Sequence, residues 1–95
     1  MARYISLIRF TEKGAQAVKQ STKRAQAFDA AAEKAGVKIE GQYWTLGHYD
    51  GVLILSADKP EKALHCLTEL AAAGFVHTET LPAFTADEFA AIVGK

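Results

Sequence analysis

An α+β fold whose elements run β-α-β-β-α-β is what this sequence predicts, and three observations predict it. Strand-like and helix-like segments alternate along all 95 residues, with no linker, low-complexity tract or internal repeat. Val52 to Ala57 is too continuously apolar for an edge strand facing water and belongs in the middle of a sheet. Two segments, after Ser21 and after Pro60, repeat alanine and other apolar residues at the three-to-four spacing of one helical side. This order is the split βαβ arrangement of ferredoxin-like folds, in which right-handed crossovers put both helices on one face of a four-stranded antiparallel sheet.

Each element has its own warrant. Arg3 to Phe10, RYISLIRF, mixes β-branched, aromatic and polar residues over a strand's usual length. Thr11 is placed to cap a short helical segment from Glu12 to Lys19, and Ser21 or Thr22 to cap the main helix, which Gly36 ends. Ala25, Phe28, Ala31, Ala32 and Ala35 form that helix's apolar side, and the alanines let it sit close to a sheet. Val37 to Leu46 begins with strand alternation, Val37 and Ile39 against Lys38 and Glu40, and Gly47 opens the turn into the central strand. Asp58 with Glu61 resembles a capping box and Pro60 suits a first helical turn. Ala63, Leu64, Leu67, Leu70 and Ala71 then form the buried stripe of a second helix, stopped by Gly74. Phe75 to Leu81 reads as the fourth strand, and Thr85 with Glu88 as a capping box before a short C-terminal helix carrying Phe89, Ile92 and Val93.

Residues 1–95 are expected to form a single domain around one core. Acidic and basic side chains balance at 11 each, which argues against nucleic acid and membrane surfaces as partners. No leader-like segment and no apolar stretch near the ~20 residues of a bilayer span is visible, so a cytoplasmic location is expected. The one cysteine, Cys66, permits no internal disulfide and reads as a small residue on a helix flank. His48, His65 and His77 fall on different elements without paired-ligand spacing, so neither a metal nor a cofactor is expected.

With both helices on one face, the other face of the sheet is left bare. It carries apolar and aromatic material, including Trp44 or Tyr43 by strand alternation, and exposing it on a monomer is costly. A homo-oligomer, a dimer or a multiple of dimers joined sheet to sheet as a dimeric α+β barrel, solves this.

The stretch YWTLGHYDGVLIL, Tyr43 to Leu55, followed by VHTETLPAFTADEF, resembles the GYD domain family. The likeness runs over nearly the whole chain and includes FTEKG, STKRAQAF, the Gly47-x-Tyr49-Asp50 turn and Thr78-Glu79-Thr80-Leu81. It implies a ferredoxin-like subunit of the dimeric α+β barrel kind and names no reaction. His77 stands where the resemblance implies an arginine, which would make a ligand-facing charge there dependent on pH.

The candidate chemistry is concentrated in two places. Tyr49 and Asp50 pair a phenol with a carboxylate, suited either to acid-base work at a barrel mouth or to holding a turn through backbone hydrogen bonds. Trp44 is either an aromatic platform for a ligand or a packing anchor between subunits. On the fourth strand His77 and Glu79 share one face and Thr78 and Thr80 the other, and alternation alone does not say which pair faces a cavity. Two functions fit: an oligomeric small-molecule-binding or regulatory module, or a cofactor-independent isomerase, oxygenase or lyase acting on a carbonyl-bearing or aromatic small molecule in the barrel. No nucleotide-binding glycine loop, nucleophile elbow or zinc-protease helix is present.

Overall fold

Pairing of the apolar runs builds the middle of the sheet. The computed structural model describes residues 1–94. Strands β1 (Ala2–Phe10), β2 (Val37–Trp44), β3 (Gly51–Ala57) and β4 (Val76–Ala83) form one antiparallel sheet in the order β2-β3-β1-β4. The two central strands, β1 and β3, are the ones whose sequences are apolar on both faces, as strands flanked by neighbours require. Helices α1 (Glu12–Gln16), α2 (Ser21–Lys34), α3 (Pro60–Ala72) and α4 (Ala86–Ile92) complete the order, with a 3-10 turn at Val18–Gln20 ahead of α2.

Helices α2 and α3 lie on the same face. Ala32 of α2 and Ala63, Cys66 and Leu67 of α3 close over Val37, Leu53, Leu55 and Ala57 in one buried cluster, with Phe28, Ile8 and Leu70 at its margin. Burying Leu53 and Leu55 fully contributes about 1.5–3 kcal/mol each. Cys66, expected on a helix flank, turns into this core because it shares the α3 side of Ala63 and Leu70. Burial pushes its thiol above the usual range.

Local signals placed most element ends. Thr11 caps α1 by accepting from the Gly14 N–H, and Thr85 and Glu88 make both bonds of a capping box on α4. Gly36 and Gly74 end α2 and α3 in left-handed backbone, at φ 85° and 86°. Two expected caps are absent. Ser21 lies inside the first turn of α2 and its hydroxyl accepts the Trp44 indole N–H at 2.9 Å, while Asp58 pairs with Lys62 at 3.1 Å and leaves α3 with Pro60 at its start. β2 stops at Trp44, two residues short of the expected end, as Thr45 to Asp50 form the turn. Among the described residues no helix is long and apolar enough to cross a membrane.

Candidate functional site on the bare sheet face

Side chains on the helix-free face follow from the register. Ile5 lies opposite Ile54 and Leu81, and Leu7 opposite Val52 and Glu79, so the centre of this face is an apolar strip. Leu81 and Tyr43 extend it to the two sides and are 44% and 61% exposed. Tyr43 is here, and Trp44 is not, because a β-bulge between Ile39 and Gly41 shifts the alternation of β2 by one residue. Trp44 therefore shares the helix side with Leu53 and Leu55.

Charged and polar groups close the strip at both ends. At one end the Arg3 Nε donates to Glu40 Oε1 at 2.9 Å and the buried Ser56 hydroxyl donates to Glu40 Oε2 at 2.9 Å. The Arg3 guanidinium and then the Ser56 hydroxyl hold the Glu40 carboxyl below the usual carboxylate range. At the other end the Tyr49 hydroxyl donates to Glu79 Oε1 at 2.8 Å, and His48 meets the Tyr49 ring edge to face at 4.8 Å. That bond to Glu79 raises the Tyr49 phenol above its ordinary value, so it holds its proton and acts as a donor. His77 lies in register with Arg9 beside this pair.

The sequence candidates therefore separate into three places. Tyr49, Glu79 and His77 gather at one end of the bare face. Thr78 and Thr80 face the helix side, where Thr80 shares a 2.9 Å hydrogen bond with the buried Ser6 hydroxyl. Trp44 and Asp50 border a hollow between α2, α3 and the sheet. Asp50 Oδ2 accepts the Phe10 N–H at 2.8 Å and the Asp50 N–H reaches the Ile8 carbonyl, so this residue ties the β2–β3 turn to the end of β1. Sequence reasoning missed the Arg3–Glu40–Ser56 group. Its only signals were a serine in an apolar strand and opposite charges 37 residues apart.

A GYD domain model matches residues 4–93. The chain belongs to the GYD domain family. A Thermus thermophilus protein named "Glutamine synthetase and cystathionine beta-lyase binding protein" is 31% identical over 84 residues, which span 87% of this chain and 88% of the relative. The crystal structure of TTHA0845 from Thermus thermophilus aligns with a TM-score of 0.57 at 27% identity, over 90% of this chain and 96% of that one. In this GYD chain, Gly47-x-Tyr49-Asp50 thus splits its work. Gly47 turns the backbone at φ 100°, Tyr49 reaches the bare face, and Asp50 fastens β1.

Proposed function

We propose that this GYD domain is a homo-oligomeric binding module that docks on metabolic enzymes and regulates them, and that it performs no reaction of its own. One observation carries the reading: Asp50 is engaged with the backbone and Tyr49 with Glu79, while the apolar strip between two charged ends has no cover among the described residues. An apolar centre with a polar rim is the composition of a protein interface. The Thermus relative's printed name supplies the partner class, glutamine synthetase or cystathionine beta-lyase. Titration of the purified protein into each enzyme by calorimetry tests this. Saturable binding at micromolar concentration is the expected result, and no heat with either enzyme overturns the partner assignment.

A second reading is favoured by the Tyr49–Glu79 bond with His77 beside it. In that reading a carbonyl-bearing or aromatic small molecule lies on the sheet face between two subunits, with Tyr49 polarising it and Glu79 moving its proton, as a cofactor-independent isomerase, oxygenase or lyase would require. Glu79→Gln separates the two. It abolishes turnover of such a molecule in the second reading and leaves enzyme docking within about threefold in the first, as expected of a rim position.

A further inference from the structure

The hollow on the helix side of the sheet has a volume of about 380 Å³. That lies within the ~300–1,000 Å³ of small-molecule sites. It opens between the first turn of α2, the last turn of α3 and the end of the sheet where β1 finishes. Phe10, Phe28, Trp44 and Phe75 supply aromatic walls, with Leu53 and Leu70 beneath them. Flat faces of this kind suit a ring or a short acyl chain.

Four charged groups stand on or beside the rim, and they are not equally available. Asp50 already accepts the Phe10 N–H at 2.8 Å, and Glu69 lines the hollow from an exposed, solvated position near the end of α3. The Arg24 guanidinium instead lies over the Phe75 ring at 4.2 Å and donates from Nη1 to the Ala17 carbonyl at 2.9 Å. Stacking and one hydrogen bond fix the plane of its fork, and an arginine has five N–H donors, so the others remain for a ligand. The Lys13 ammonium sits over the same ring at 4.4 Å and adds a second positive charge. An oriented, half-buried guanidinium at the lip of an aromatic hollow presents the donor geometry that suits a carboxylate.

We infer that this hollow binds a small, flat or short-chain apolar carboxylate, its hydrocarbon against Phe10, Phe28 and Trp44 and its carboxylate on Arg24. The site lies on the opposite side of the sheet from the bare face, so it stands independently of what covers that face. Trp44 is the protein's single tryptophan and borders the hollow, so its fluorescence reports occupancy directly.

The probes are 3-phenylpropionate, 3-phenylpropanol and 3-phenylpropylamine, which share a ring and differ in charge. Saturable change in Trp44 emission is expected with the acid, about tenfold weaker binding with the alcohol, and none with the amine. Arg24→Gln should bring the acid down to the alcohol's affinity while leaving the alcohol unchanged, and Arg24→Lys should fall between. Ala25→Leu, which fills the hollow from α2, should remove binding of both acid and alcohol. Equal affinity for acid and alcohol, an undiminished acid affinity in Arg24→Gln, or amide shifts centred on Leu7 and Leu81 in place of Leu53 and Phe75 would each overturn the assignment. Absence of binding by the wild-type protein at millimolar acid would do so as well.

Discussion

Asp50 is the residue at which structure and chemistry make opposite demands, and two substitutions separate them. Its carboxylate accepts the Phe10 N–H, a bond that an asparagine oxygen can also accept. Asp50→Asn is therefore expected to melt near the wild type, and Asp50→Ala to lose about 1–3 kcal/mol by leaving a half-buried backbone donor without a partner. Urea titrations of the three proteins measure this, and an alanine variant as stable as wild type would return Asp50 to the list of catalytic candidates. Trp44 follows similar logic with a smaller stake. Being 48% exposed and held by one bond to Ser21, its replacement by alanine should cost roughly 1–2 kcal/mol, below the ~3–5 kcal/mol of a fully buried aromatic. Because it lies on the helix side, assembly measured by light scattering should not change. Glu40 sets a pH dependence. Its folded-state pKa is depressed by Arg3 and Ser56, so its contribution is present above the unfolded value of about 4.3 and is lost as pH falls through the folded one. Asp58, lowered by Lys62, and Glu88, lowered by the Thr85 backbone, act in the same direction. Acid melts between pH 5 and 3 should accordingly be less steep for Glu40→Gln than for wild type.

Elements were legible wherever one local signal decided them, and illegible where two competed. The α4 capping box is complete in four residues, Thr85 to Glu88, and formed as the spacing predicts. Ser21 has the chemistry of a cap, yet its hydroxyl is taken by an indole 23 residues away, which no local pattern announces. The bulge between Ile39 and Gly41 matters most for function. Strand alternation from Val37 and Ile39 would put Tyr43 on the helix side, and one extra residue at Glu40 reverses that and sends Trp44 there. Gly41 itself is a fitting bulge residue, because a Cβ there would meet the Tyr43 ring and Ile54 at 3.1 and 3.2 Å. On β4 the sequence left two faces open, and pairing of Thr80 with Ser6 selected the threonines for the helix side. Helix α1 carries its own test. A Cβ on Gly14 would stand 2.0 Å from the Phe75 carbonyl oxygen, while Thr11 bonds the Gly74 carbonyl at 2.7 Å and its N–H the Phe75 carbonyl at 3.0 Å. Gly14→Ala must push α1 off the start of β4 and is expected to cost about 1–3 kcal/mol in thermal or urea melts, despite alanine's better helix propensity.

At the scale of the molecule, the Cα extents of 48 × 31 × 17 Å describe two layers, a sheet and its helices, with no third layer on the far side among the described residues. Domains of this class bury a sheet face against another layer, and an apolar strip left in water invites association. Helix α4 and the segment before it add to the need for a cover: Phe84, Phe89 and Ile92 are 62%, 60% and 61% exposed, and no described helix or strand packs closely on them. A second copy would supply what one chain lacks. Face-to-face pairing about a two-fold axis near Leu7 and Ile54 would set strip against strip. Each end of the strip carries both signs of charge, Arg3 with Glu40 and Arg9 with Glu79, so neither sense of crossing brings like charges together throughout. Such a pairing is closed, which makes dimers or multiples of dimers the expected species. Multi-angle light scattering at micromolar concentration should show an even-numbered oligomer for wild type. Leu7→Glu, which places a carboxylate at the centre of the strip and on the opposite face of the sheet from the Leu53–Leu55 core, should shift that oligomer to monomer while near-wild-type far-ultraviolet circular dichroism shows the sheet intact. A wild-type monomer at the same concentration would remove sheet-to-sheet assembly and leave the strip to the proposed enzyme partner, whereas an oligomer that survives Leu7→Glu would move the contact to α4, where Phe89→Glu is the corresponding test.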